Sequence, residues 1–450
     1  MRPKTISGLT AQLKDKLIQQ ALERRLRHAS QSDNAPMSLV AGFGTADKIP
    51  EQHYRFHLHP GYQQIRIMND GAARLGIGNP FFKLHEGTAG STTNIGGKMY
   101  VNYASYNYLG LSGHPAVINA AKDAIDRYGT SVSASRLVSG ERPIHRQLEQ
   151  ALARAYGVDD AITFVSGHAT NVTTIGYLFG AKDLILHDEF IHNSALQGIQ
   201  LSGARRLSFP HNDWQALDRI LTEQRRHFER VLIVLEGIYS MDGDFPELPR
   251  FVEVKRRHCA FLMIDEAHSF GVMGKNGLGI REHFGLSGND VDIWMGTLSK
   301  SLAGCGGYVA GESALVEHLK FLAPGFLYSV GMPPPVAASS LAALQCMQNE
   351  PERVSQLVGR GQQFLEEAKA AGINIGNSAG LAVVPAIIGS SLSTARVSAA
   401  MFERGINVQP ILYPAVPEKS ARLRFFISCL HTPEQIHETV DALAQEIRRI

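Results

Sequence analysis

Cysteine is scarce in this chain, with four in 450 residues: Cys259, Cys305, Cys346 and Cys429. They lie far apart and form no C-x-x-C pair, which fits a reduced, cytosolic protein with buried thiols. Net charge is nearly absent too. At +2 it leaves no excess for the concentrated basic surface that a nucleic-acid partner requires. No apolar run approaches bilayer length, and the opening "MRPKTISGLTAQLKDKLIQQ" lacks the continuous apolar core of a signal peptide. The expectation is a cytoplasmic protein without a nucleic-acid partner or a membrane span. There is no repeat and no low-complexity tract. What remains is an ordinary globular composition, 44% hydrophobic and 19% charged, long enough for two or three domains around a large core.

Pattern then gives organisation. Leu9, Leu13, Leu17 and Leu26 fall near helical spacing and predict an amphipathic helix over 8–29. Residues 30–80 are irregular. From about 115, short β-like runs ("AITFV", "DLILH", "RRLSF", "VLIVLE", "FLMID", "DIWMG", "GYVAG") alternate with helical segments. Such alternation implies a mostly parallel sheet covered on both faces. Ligands bind such sheets at the carboxyl ends of the strands, so the residues that follow the apolar runs are the ones to inspect. After Pro333–Pro335 the pattern changes to a long helix over about 336–372. The strands "AVVPAII", "INVQPIL" and "RLRFFIS" follow, then a last helix from about Thr432. The division read from this is an N-terminal extension with a helix (1–80), a large cofactor-binding domain (81–330) and a smaller C-terminal α/β domain (331–450).

"FLMIDEAHS" sets Asp265, Glu266 and His268 at the end of a buried strand. A helicase DEAH box also needs G-x-x-x-x-G-K-[ST], which does not occur, so that reading fails. The glycines of "GVMGKNGLG" lack the order of a dinucleotide fingerprint and read as a flexible loop. In "GTLSKSLAGCGGY", Lys300 stands alone among small residues after its own strand. A lysine and an aspartate on neighbouring strand ends suit pyridoxal phosphate. The amine forms a Schiff base with the aldehyde, and the carboxylate keeps the pyridine nitrogen protonated. "SGHATN" (166–171) follows a strand and opens a helix, where free N–H groups would hold the phosphate. Thr297 adds a hydroxyl there, and His192 follows "DLILH" at the same sheet edge.

"LEGIYSMDGD", "IDEAHSFGVMGKNGLG" and "GTLSKSLAGCGGY" together resemble the α-oxoamine synthases, over about residues 80–450. The resemblance implies the PLP-dependent transferase fold type I, which is aspartate-aminotransferase-like, α/β, with a mainly parallel-sheet large domain and a smaller C-terminal domain. It implies decarboxylative condensation of a small L-amino acid (Ser, Ala or Gly) with an acyl thioester, either acyl-CoA or acyl-carrier protein, by a homodimer with shared active sites. Carried over by position, Lys300 is the Schiff-base lysine, Asp265 pairs with the pyridine nitrogen, His268 contacts the ring's phenolic oxygen and His192 stacks on the ring. Gly167 and His168 support the cofactor from the phosphate-side loop, and Ser240 and Thr297 are polar cofactor contacts. Arg424, ahead of Arg422, holds the substrate carboxylate. Strand alternation puts the two arginines on one face, so spacing does not separate them. "ASYNYLGL" is similar to the serine palmitoyltransferase form and makes Asn107 a substrate-side contact. The chain departs from the family at Gly331, where Ser, Thr or Ala is common, so Ser329 becomes the candidate for the partner-subunit phosphate contact. "NPFFKLHEGTAG" and "GTSVSASRLVSGE" are similar to synthases fed by carrier proteins, and Arg24, Arg25 and Arg27 offer a basic cluster for an acidic carrier. No metal is expected. Alternatives are another fold-type-I activity such as transamination, and a non-catalytic synthase subunit, which commonly lacks the lysine present here.

Overall fold

The computed structural model describes residues 49–74 and 78–450. The helix read over 8–29 and the Arg24, Arg25 and Arg27 cluster lie outside the described residues. Thirteen strands are seen in this part, in chain order: β1 Thr92–Ile95, β2 Lys98–Asn102, β3 Asp160–Phe164, β4 Leu184–Asp188, β5 Arg205–Phe209, β6 Val231–Glu236, β7 Phe261–Asp265, β8 Ile293–Thr297, β9 Gly307–Gly311, β10 Val383–Gly389, β11 Ile406–Asn407, β12 Gln409–Ile411 and β13 Ala421–Phe426.

Seven of them form the central sheet, in the order β3-β9-β8-β7-β6-β4-β5. β8, β7, β6, β4 and β5 run parallel, and β9 lies antiparallel between β3 and β8. All seven correspond to the apolar runs read from the sequence. β6 and β4 are buried along their whole length, as central strands covered on both faces must be. β5 is an edge strand, and its exposed Arg205 and Arg206 discourage pairing with a further strand. Apolar side chains of the two faces form separate clusters, one around Leu184, Ile233 and Trp294, the other around Ile185, Leu232 and Met263.

Two C-terminal features differ from the sequence expectation. The helix expected over 336–372 is two helices, Pro334–Asn349 and Glu352–Ala370. Glu350 leaves the helical region because it precedes Pro351, whose ring crowds a helical residue before it. "INVQPIL" is divided between two sheets. β11 runs parallel to β2, with Asn407 donating to Asn102 at 2.9 Å, whereas β12 pairs with β13. The sheet β1-β2-β11 therefore joins residues 92–102 to the C-terminal segment. Helix Pro433–Arg448 closes the chain, with the Thr432 side chain as its N-cap.

The four cysteines are free, but Cys259 and Cys305 are exposed, contrary to the expectation of burial. Cys259 ends a helix in a left-handed turn, and Cys305 lies in the glycine turn after Lys300. The stretch 271–279 is a loop, but a pinned one. Glu282 accepts from Asn276 N and Nδ2, and Glu266 accepts from Ile280 N. Among the described residues no helix is long and apolar enough to cross a membrane.

Candidate active site

The site is built at the carboxyl edge of β4, β6, β7 and β8. β6 and β7 end in register at Glu236 and Asp265, two buried acids side by side. Asp265 is fixed from two sides: Asn171 Nδ2 donates to Oδ2 at 2.8 Å and Ala267 N to Oδ1 at 3.0 Å. Asn171 also donates to Ser194 Oγ at 2.9 Å, and Ser194 Oγ lies 2.8 Å from His192 Nδ1. His192 caps helix Asn193–Ser202, with Nδ1 accepting from Ser194 N. The neutral imidazole therefore carries its proton on Nε2. Burial, then the charge of Lys300, keep this histidine below its ordinary pKa in spite of Asp265. Helices Gly167–Leu178 and Asn193–Ser202 approach closely because Gly198 has no Cβ; one there would sit 2.8 Å from Asn171 O.

Lys300 lies in the turn that joins β8 to β9. The turn is closed by Leu298 N donating to Gly306 O (2.9 Å), Gly304 N to Leu298 O (2.8 Å) and Ala303 N to Lys300 O (3.1 Å). Burial lowers the Lys300 ammonium to about 8, against the pull of Asp265 and Glu236 and with the push of Arg424. Glu236 is shifted the other way. Burial, then repulsion from Asp265, raise it well above the carboxylate range. Its Oε2 accepts from Ser240 N at 3.3 Å, and its buried Oε1 has no partner.

His268 Nδ1 lies 2.8 Å from the Tyr108 hydroxyl. Burial drives His268 far below its ordinary pKa and Tyr108 far above. Both are neutral, and a proton donated by Tyr108 to Nδ1 leaves Nε2–H free to donate. Tyr106, on the same loop, is partly exposed, with its ring 5.8 Å from Lys300 Nζ.

The two arginines of β13 separate here. Arg422 Nη1 is bonded to Asp242 at 2.5 Å and to Met241 O at 3.0 Å. Arg424 donates to Ser240 O at 3.0 Å and forms no ion pair with a carboxylate among the described residues.

These residues fit pyridoxal phosphate. Asp265 is a buried, immobilised carboxylate with no cation paired to it among the described residues, as a protonated pyridine nitrogen requires. The phosphate side is a cradle of bare backbone. A Cβ on Gly167 would lie 2.9 Å from Thr297 Oγ1, and one on Gly307 would lie 2.7 Å from Gly167 Cα. Ser166 caps the helix that opens at Gly167, where the first N–H groups have no intrahelical partner. His168 is exposed beside them. Thr297 Oγ1 donates to Gly306 O at 2.9 Å and accepts from Ser299 N, so it braces the turn as well as facing the cradle.

A family model, aminotransferase class I and II, matches residues 98–443. The chain belongs to the aminotransferase class I and II family. Among curated relatives, the 8-amino-7-oxononanoate synthase of Symbiobacterium thermophilum is 38% identical over 356 residues, which is 79% of this chain and 90% of the relative. That of Geobacter sulfurreducens is 39% identical over 361 residues, covering 80% and 92%. Among solved structures, serine palmitoyltransferase from S. paucimobilis with a PLP-bound ligand superposes with a TM-score of 0.83 at 29% identity, covering 86% of this chain and 98% of that one. Within the aminotransferase class I and II family, both relatives are α-oxoamine synthases. The chain is likewise a pyridoxal-phosphate acyltransferase of fold type I, and it condenses an amino acid with an acyl thioester with loss of CO₂.

The structure brings Lys300, Asp265, His268, His192, Ser240, Thr297, Gly167, His168 and Arg424 to one sheet edge. Asn107 and Ser329 make contacts of their own. Asn107 is buried and engaged by backbone: it donates to Ala89 O at 2.7 Å and accepts from Ser112 N at 3.2 Å. The Ser329 hydroxyl donates to its neighbour Val330 O, beside a small cleft with Arg136 and Val165. Gly331 has no room for a side chain, since a Cβ would lie 2.9 Å from Arg136 Cγ. Residues the sequence reading passed over are Glu236, Asn171, Ser194, Tyr106 and Tyr108. Glu236 ends a fully apolar strand as Asp265 does, which was a readable signal. Asn171 falls four residues after Gly167 on the same helix face.

Proposed function

We propose that the amino acid is a small one (serine, alanine or glycine) and that its carboxylate is held by Arg424. The carrying observation is the contrast within β13: Arg422 is bound to Asp242, while Arg424 is half-buried, within electrostatic reach of Lys300 and Glu236 and over the Phe426 ring, with no carboxylate partner among the described residues. When bound, pyridoxal phosphate supplies an electron-accepting ring that takes up the charge left at Cα. The chain's own groups do the rest. Lys300, with an ammonium near 8, has a neutral fraction at neutral pH and takes the Cα proton. Asp265 holds the proton of the ring nitrogen. His192 would lie against the ring, and His268 offers its Nε2–H as a donor to it. The N-terminus of helix Gly167–Leu178, with His168 and Thr297, binds the phosphate. Arg424 fixes two carboxylate oxygens and so orients the bonds at Cα, for which its planar fork is suited.

The working unit in this reading is a cytoplasmic homodimer. Support comes from apolar side chains left in water around one backbone contact, Gly331 N to Ala134 O: Leu137 and Val138 on one segment, Tyr328 and Val330 on the other. Ser329 lies among them and would reach the partner's phosphate. The acyl donor is CoA-bound or carrier-bound, and the basic Arg24, Arg25 and Arg27 favour an acidic carrier.

Mass-spectrometric screening of Ser, Ala and Gly against acyl-CoA and acyl-carrier donors tests this reading. The expected product is an aminoketone one CO₂ lighter than the simple condensate. A ketoacid formed without consumption of thioester would indicate transamination instead.

A further inference from the structure

One charged group beside the site has no part in the chemistry above. His211 follows β5 and stands between two acids from different segments. Nδ1 lies 2.9 Å from Asp188 Oδ1, at the end of β4, and Nε2 lies 2.8 Å from Asp244 Oδ2. With a carboxylate on each nitrogen, both must donate, so the ring is an imidazolium. Phe190 and Tyr239 flank it with ring centroids at 4.5 Å, Tyr239 edge-on. The turn is over-determined: His211 N donates to Glu189 Oε1 and Asn212 N to Asp188 Oδ2, and Asn212 holds φ +56°.

The two acids lead to two halves of the site. Asp188 also accepts from Phe190 N, in the turn that carries the chain to His192. Asp244 closes the loop 239–244, with Tyr239 N donating to Asp244 O and Gly243 N to Tyr239 O. That loop presents Ser240 O to Arg424, and Met241 O and Asp242 to Arg422. Its other side is wedged against β10, where a Cβ on Gly243 would lie 2.1 Å from Val383 O. The loop therefore has no slack toward the small sheet, and on the opposite side His211 holds it to β4.

We propose that His211 is a positioning residue for the substrate-carboxylate clamp. As an imidazolium bridging Asp188 and Asp244, it sets the loop 239–244 against the His192 turn and so fixes where the Arg424 guanidinium sits. Without the cation, two nearby carboxylates repel and the loop is released from β4. The inference rests on the reading of Arg424 as the carboxylate site.

Steady-state kinetics of His211→Gln, which keeps donors but loses the charge, provides the test. The KM for the amino acid should rise about tenfold, with bound pyridoxal phosphate retained and the KM for the acyl thioester unchanged. Asp244→Asn should do the same and carries the test if His211→Gln does not accumulate. In an Arg424→Ala background, His211→Gln should add no further rise, because both act through one clamp. A lowered melting temperature with unchanged amino-acid KM would reduce His211 to a structural role and overturn the proposal, as would increments that multiply fully in the double variant. If Arg424→Ala alone leaves the amino-acid KM unchanged, the reading of the clamp fails instead.

Discussion

The two edges of the seven-stranded sheet carry similar side chains to opposite ends. At the amino edge a cavity of about 500 Å³ opens among Phe179, Phe261, Val291 and Leu315. Its charges are largely matched: Lys255 holds Asp292 at 2.7 Å, Ser313 N donates to Asp159 at 3.2 Å, and Arg230 is bonded to Asp183 at 2.8 Å. At the carboxyl edge the charges are left open. Asp265 has no cation and Arg424 no carboxylate among the described residues, and Glu236 Oε1 is buried without a partner. Space alone does not mark the site. What marks it is buried polar valence that the chain itself does not satisfy.

The sharpest way to break this comparison is Lys300→Ala. Turnover should fall by at least about 10³-fold, the scale of a lost proton-transfer group. The yellow colour removed by borohydride in the wild type should no longer be fixed to the chain, and a label mapped to another lysine would refute the assignment. Next, Asp265→Asn keeps shape and hydrogen bonding but not charge. Exchange of the Cα proton should drop about 10²- to 10³-fold, the scale of a lost preorganised charge contact, while cofactor stays bound; near-normal exchange would contradict it. Third, Arg424→Ala should raise the amino-acid KM by about 10- to 100-fold, as loss of a charged hydrogen-bonded pair does, with cofactor content intact. Arg422→Ala should act on stability, costing about 2 kcal/mol in denaturant melts by leaving Asp242 unpaired. A fourth, smaller effect concerns pH. The Lys300 pKa is depressed to about 8, so the amine loses its proton at lower pH than an ordinary lysine. Loading of apoprotein with pyridoxal phosphate, followed by absorbance, should quicken about tenfold between pH 7 and the plateau above about 8, as the neutral fraction rises. An unchanged rate across that range would show the amine to be already neutral. Smallest of all, Phe261→Ala at the amino edge should cost about 1 kcal/mol and leave both KM values alone. A kinetic effect there would mean that the matched edge is not inert.

Much of this was legible beforehand, for a physical reason. Central parallel strands are buried on both faces, so "VLIVLE" and "FLMID" read as strands without ambiguity, and the strand-end rule pointed to Asp265 and Lys300. What was not legible depended on partners distant in the chain. Arg422 and Arg424 share a face, and only Asp242, far away in sequence, distinguishes them. Asn107 was expected as a substrate-side contact from the resemblance of "ASYNYLGL" alone. Nothing in that stretch announced that its amide ties down Ala89 and Ser112, or that Tyr106 and Tyr108 on either side approach Lys300 and His268. "INVQPIL" carries one continuous β-like composition, and nothing within it announces that β2 will claim Ile406 and Asn407 and β13 will claim Gln409–Ile411.

β9 runs against its neighbours, and this has a consequence for the life of the molecule. Because the chain turns back at once after Lys300, both arms of that hairpin lie in the middle of the sheet, clamped between β7 and β3. In the proposed site, a cofactor bonded to Lys300 and seated on Asp265 and the helix at Gly167 would therefore cross-link three segments remote in sequence. It acts as a fastener through the centre of the sheet, and the loaded protein should resist proteases and open more slowly than the empty one, as ligand linkage to the native state requires.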